Sequence, residues 1–141
     1  MKTLIFDLDG TLVNLKPNLV CVADVDYLAD LRKKYDFALV TGSPKVEVTT
    51  ALEKCGLTGL FHERNIITHD DIRDSKASGA PFFEIKKRLK SNMVMIGDSD
   101  GDEIGTSKAG IPFVRVEACD LLEAQKAKLI ESIRRAIELL D

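Results

Sequence analysis

A chain of 141 residues, 45% hydrophobic, can bury about two-thirds of its unfolded surface around one core and is too short for two ordinary domains, so a single domain over 1–141 is expected. With 20 Lys and Arg against 23 Asp and Glu, a net charge of −3, it offers no basic stripe, which argues against nucleic acid as a partner. Cys21, Cys55 and Cys119 are odd in number, far apart and without a Cys-x-x-Cys pair, which predicts neither a disulfide framework nor a zinc site and fits reducing surroundings.

The first apolar run, Thr3 to Leu8, reads as a strand, and Asp7-Leu8-Asp9-Gly10 closes it with two carboxylates and a residue that permits a sharp bend. Asp7 also interrupts what would otherwise pass for a leader, and no later apolar run is long enough to span a bilayer. A soluble, cytoplasmic protein with no membrane partner is expected. Val25 to Tyr35 has helical periodicity, Phe37 to Thr41 is a second strand, and Gly42-Ser43-Pro44 introduces a helix over Lys45 to Cys55, with Ser43 as N-cap and Pro44 in the first turn.

Gly56 stops that helix. Asn65 to Thr68 is a third strand, followed by His69-Asp70-Asp71 and Lys76; Pro81 to Leu89 is a helix. Met93 to Gly97 is the fourth strand, and Asp98-Ser99-Asp100-Gly101 leads into a helix over Asp102 to Ala109 that ends at Gly110. Pro112 to Val116 is the last strand. The closing helix, Leu121 to Leu140, places Leu122, Leu129, Ile130, Ile133, Ile137 and Leu140 on one core-facing stripe.

Alternating strands and helices specify an α/β fold with a doubly wound parallel sheet, which gathers the C-terminal strand ends along one edge. The residues there are Asp7 and Asp9, then Thr41 and Gly42, then Lys76, then Asp98 and Asp102. Buried carboxylates at a strand end need a cation, and this set of oxygens suits Mg²⁺ and phosphate-ester chemistry. One carboxylate would attack phosphorus and Asp9, beside Asp7, would manage the proton. Thr41 and the Gly42 N–H would hold phosphate oxygens, and the Lys76 ammonium would balance charge.

Over nearly its whole length the chain resembles the haloacid dehalogenase superfamily of phosphohydrolases. The first motif of that family is matched by Asp7-Leu8-Asp9-Gly10-Thr11, the second by Thr41, the third by Lys76 and the fourth by Gly97-Asp98-Ser99-Asp100-Gly101-Asp102. The resemblance implies a Rossmann-like core, a Mg²⁺ cofactor, Asp7 as nucleophile and Asp9 as acid/base and backbone-carbonyl metal ligand. It further implies Asp98 as metal ligand and Asp102 as support for the water shell of the metal. Lys86 and Lys87 are the alternatives for the lysine, but inside a helix they read as a solvated face. Members that cleave carbon–halogen bonds usually lack the second acid, so Asp9 favours phosphate esters.

Rival patterns fit less well. Gly97-Asp98-Ser99-Asp100-Gly101 has the spacing of a serine-hydrolase elbow, yet His62 and His69 both precede Ser99. A calcium loop needs glycine where Glu103 stands and an acid where Ala109 stands. A receiver-like aspartyl-phosphate switch, or a regulatory binding module, is the alternative from another class, although its acidic pair comes earlier in the chain than its phosphorylated aspartate. His62 reads as structural or surface, while His69 and Arg73 are candidates for substrate contact.

Neither Gly10 to Thr41 nor Gly42 to Lys76 has room for the cap domain that the family often inserts, so the site should be open. A flap from Val13 to Asp24, a neighbouring subunit in a homo-oligomer, or a large substrate would have to close it. A small phosphorylated metabolite is the expected substrate, with a phosphoprotein or other macromolecule as the alternative.

Overall fold

The computed structural model describes all of residues 1–141. Five parallel strands form the sheet: β1 (Thr3–Phe6), β4 (Asp36–Val40), β5 (Ile66–Ile67), β6 (Met93–Gly97) and β7 (Phe113–Arg115). Their order is β5-β4-β1-β6-β7, so the first sheet strand is central and the chain winds outward from it in both directions. A receiver domain places its strands in another order, and this topology is not that one.

Side chains alternate across each strand, and both faces are apolar because both are covered. Leu4, Phe6, Phe37, Leu39, Val94 and Ile96 face α1 (Val25–Leu31), α2 (Lys45–Lys54) and α5 (Leu122–Leu140) in one cluster. Ile5, Ala38, Val40, Met93 and Met95 face α3 (Ala80–Arg88) and α4 (Asp100–Ala109) in the other. Phe6 and Phe37 meet edge to face, ring centres 5.2 Å apart, at the middle of the larger cluster. The expected stripe of α5 supplies Leu129 and Ile133 to that cluster.

Several boundaries differ from expectation for local reasons. β5 is two residues long, because the Asn65 side chain donates to the Phe37 carbonyl (3.2 Å) and Thr68 turns to the Asp71 carboxylate. α1 ends at Leu31, and the next residues tighten into turns in which Lys33 and Lys34 donate to Asp30 and Leu31. The N-cap of α2 is Pro44, not Ser43. Ser43 is held outside the helix, its N–H donating to Thr41 Oγ1 (3.1 Å) and its carbonyl accepting from His69 N–H (3.0 Å).

The segment between β1 and α1 forms a hairpin of β2 (Val13–Asn14) and β3 (Val20–Cys21). It is the flap, and no cap domain accompanies it: Gly42 to Lys76 holds only α2, short 3₁₀ turns and β5. Contrary to the reading of the cysteines, Cys21 is bonded to Cys55, their Cα atoms 5.5 Å apart. The fold lays β3 beside the end of α2, a proximity that a sequence separation of 34 conceals. Cys119 remains the free thiol, and the cysteine pattern no longer argues for reducing surroundings. No helix is long and apolar enough to cross a membrane.

Candidate active site

The sheet register places the candidates at one level. Phe6 aligns with Leu39 and with Ile96, so Asp7, Val40 and Gly97 come next on three adjacent strands. Thr41 and Asp98 follow one residue later. Asp7 extends the ladder, its N–H donating to Ile96 O (3.0 Å), which fixes its carboxylate at the mouth of the central strand.

Oδ1 of Asp7 accepts from Leu8 N–H (2.8 Å) and from the Lys76 ammonium (2.6 Å). The same ammonium lies 2.9 Å from Oδ1 of Asp102. Lys76 arrives on a 3₁₀ turn, Lys76–Ser78, that packs directly on α4. There Gly105 permits the approach, since a methyl would collide with the Lys76 carbonyl and the Phe82 ring. The close packing of that turn, rather than any local signal around Lys76, aims the lysine. Lys86, its sequence alternative, instead donates to the Ala109 carbonyl at the end of α4 (2.7 Å).

Electrostatics at this cluster are dominated by burial. Asp7 is pushed up to about 6, first by desolvation, with Lys76 pulling the other way and Asp98 adding to the rise. Asp102, fully buried, is also raised by desolvation and by the Asp7 charge. Burial works to lower Lys76, but Asp7 and Asp102 outweigh it and the ammonium is held above its ordinary range. One lysine charge thus serves two buried carboxylates, leaving the cluster short of positive charge.

Carboxylate oxygens of Asp7, Asp98 and Asp102 lie within 4.8 Å of one another. Oδ2 of Asp102 is buried without a hydrogen-bond partner, which is costly in a neutral surrounding. Three hard oxygen donors, one of them orphaned, fit a divalent cation such as Mg²⁺. The glycines around them keep the space: a methyl on Gly10 would strike the Asp98 carboxylate, and one on Gly97 the Asp102 carboxylate. At Gly10 the backbone also needs a positive φ of 81°.

Asp9 stands outside this trio and is exposed. Its Oδ1 accepts from Leu15 N–H on the flap (2.9 Å). Beside it opens a cavity of about 430 Å³, lined by Lys16, Pro17 and Val20 of the flap and by Cys119, Asp120 and Leu122 opposite. Thr41 is buried, with its hydroxyl hydrogen free to donate while its oxygen accepts from Ser43. Gly42 is exposed. A larger cavity, about 580 Å³ and floored by Val48, Leu52, Phe61 and Ile66, contains none of these residues.

Other members of the site carry no sequence signal. Arg115, at the end of β7, donates to the Asp98 carbonyl (2.9 Å) and pairs with Asp100 and Glu103, bracing the loop that presents Asp98. Asp70 accepts the Lys45 N–H (3.1 Å), and with the His69–Ser43 bond it ties the Thr41–Ser43 turn to the loop after β5. Ser99, the supposed elbow serine, caps α4 by accepting from Asp102 N–H (3.1 Å). His69 and Arg73 are exposed, and His62 accepts the Arg64 N–H within its own turn.

The model of the haloacid dehalogenase-like hydrolases matches residues 23–116, a stretch that contains Thr41, Lys76, Asp98 and Asp102 and begins after Asp7 and Asp9. No curated protein matches the sequence closely enough to count as a relative. Among solved structures, the chain is similar to a Thermotoga maritima protein described provisionally as a β-phosphoglucomutase, at 16% identity and a TM-score of 0.78 over 96% of this chain and 99% of that one. A subfamily IA hydrolase from Geobacter sulfurreducens aligns at 14% identity and a TM-score of 0.70, over 82% of this chain and 89% of that one. A Vibrio cholerae protein, provisionally a 3-deoxy-D-manno-octulosonate 8-phosphate phosphatase, aligns at 18% identity and a TM-score of 0.59, over 100% and 87%. At these identities the likeness establishes a shared fold.

Proposed function

Because this chain belongs to the haloacid dehalogenase-like hydrolases, we propose that it is a Mg²⁺-dependent phosphomonoester hydrolase working through an aspartyl-phosphate, with small phosphorylated metabolites as substrates. The observation that carries this reading is the Asp7–Lys76–Asp102 cluster with Asp98 beside it, a nucleophile with its charge partner inside an oxygen-lined cation site. Asp7, Asp98 and Asp102, with the Asp9 carbonyl, are the residues that would hold Mg²⁺. The bound cation would offset the negative charge shared by carboxylates and phosphate.

Oδ1 of Asp7 is occupied by Lys76 and Leu8 N–H, so Oδ2 is the attacking atom. Its bond to phosphorus forms as the ester P–O bond breaks, and Asp9 gives its proton to the departing oxygen. Water then attacks the phosphorus of the aspartyl-phosphate, Asp9 takes back a proton, and the P–Oδ2 bond breaks to return Asp7. Lys76, Thr41 and the Gly42 N–H hold the phosphoryl oxygens through both steps. The leaving group falls on the Asp9 side, where the 430 Å³ cavity matches a small molecule and offers neither a basic track for nucleic acid nor an apolar face for a membrane.

The deciding experiment is a panel of phosphorylated metabolites assayed with Mg²⁺, with Asp7→Asn as the control. Phosphate released from one or more of them by the wild type alone is the expected result. Release from phosphoproteins and from none of the small esters would move the substrate class to macromolecules. No release at all, with a stable phosphoryl group on Asp7, would favour a switch.

A further inference from the structure

The carboxylate of Asp9 is held by one donor, the N–H of Leu15. Leu15 belongs to the two-stranded flap, and a hairpin of that size has little stability of its own. The position of Asp9 therefore depends on what anchors the flap. Part of the anchor is Val13, fully buried in the larger cluster with Leu15 packed against it. On one side it is the bond from Cys21 to Cys55 at the end of α2. On the other, next to Leu15, it is a pair of side-chain amides.

Asn14 Nδ2 donates to Gln125 Oε1 (2.8 Å) and Gln125 Nε2 donates back to Asn14 Oδ1 (2.9 Å). The partners are 111 residues apart, and Gln125 is only 8% exposed on the inner face of α5, whose other buried residues are Leu129, Ser132, Ile133 and Ala136. A buried amide on such a face is worth keeping only if its partner stays in place. Asn14 immediately precedes the residue that grips Asp9, and both amides line the same cavity as Asp9.

Resting on the hydrolase reading above, we infer that Gln125 is a positioning residue for the general acid. Through Asn14 it fixes the Leu15 N–H, and so the place from which Asp9 delivers its proton to the leaving oxygen. The last helix of the fold, which contributes none of the family motifs, thereby sets how well poor leaving groups are expelled.

The test uses para-substituted phenyl phosphates, which share a shape and differ in how much their oxygen needs a proton. The value of kcat/KM reports events up to departure of the leaving group. In Gln125→Leu the least acidic phenol should lose about tenfold more than p-nitrophenol, steepening the dependence on leaving-group basicity, as expected for weakened general-acid catalysis. Asn14→Ala, which breaks the pair from the flap and leaves α5 intact, should give the same slope even if Gln125→Leu folds poorly. The exchanged pair Asn14→Gln with Gln125→Asn should restore the wild-type slope. An equal loss across the series, or no loss in either single variant, would overturn the positioning role while leaving the hydrolase reading intact. A wild type inactive on every ester would instead overturn the hydrolase reading, and this role with it.

Discussion

The Lys76 ammonium lies 2.6 Å from Oδ1 of Asp7 across 69 residues of chain, and it is the one positive charge set against both Asp7 and Asp102. Removing it should therefore leave two buried carboxylates facing each other. In Lys76→Met, without metal at pH 7.5, a loss of roughly 3 kcal/mol is expected, as for a buried ion pair that loses one partner. Both carboxyls are already raised by burial and rise further without the lysine, so the deficit should shrink as the pH falls and they take up protons. Urea denaturation at pH 7.5 and 4.5 measures this, and equal deficits at both values would contradict it.

Asp7 itself should trade stability for reactivity. With its carboxyl raised from 3.8 to about 6, the folded protein binds this proton more tightly than the unfolded chain. Its contribution is full below about pH 4 and is lost as the pH rises through 6. Asp7→Asn removes that loss, so the metal-free variant should be more stable than wild type at pH 7.5 and show little advantage at pH 4. Its phosphatase activity should fall at least on the order of 10³-fold. Parallel denaturation curves and phosphate-release assays on one preparation would separate the two effects.

Mg²⁺ should raise the melting temperature by mass action, with roughly 2.7 kcal/mol of stabilisation at a hundred times its Kd. Asp98 is half-buried and at the mouth of the trio, so Asp98→Asn should fold normally and lose most of that Mg²⁺-dependent shift. A thermal titration giving the same shift in Asp98→Asn as in wild type would remove Asp98 from the ligand set.

Gly105→Ala should act on the site without touching any reacting group. The added methyl collides with the Lys76 carbonyl and the Phe82 ring, forcing α4 away from the turn that aims the lysine. Overpacking of this kind typically costs about 1–3 kcal/mol, and activity should drop along with it. Gly59→Ala, where the new methyl meets nothing, should change neither.

What could be read from the sequence divides along physical lines. β6 was delimited to the residue and α2 to within one, because hydrophobic period and glycine stops are local. The strand-end logic likewise located Asp7, Thr41 and Asp98, since a parallel sheet lays all its C-terminal ends along one edge. The same logic puts Asp102 at this edge, but does not reveal that it is fully buried with Lys76 against it. That burial, the Cys21–Cys55 bond, the Asn14–Gln125 amides and the Arg115 brace all join segments brought together by the complete fold. Ser43 failed as an N-cap for a related reason: its backbone was claimed by Thr41 and by His69, a partner from another loop.

The strand order has a last consequence. Because β1 lies between β4 and β6, the reactive cluster straddles a seam in the chain near Leu89 to Asn92. Asp7, Thr41 and Lys76 fall before that seam, and Asp98 and Asp102 after it. On the proposed mechanism neither portion would carry a working catalyst. Cut there, the polypeptide would give two fragments expected to be silent apart and to turn over only when docked, so that catalysis would report that the two halves have met.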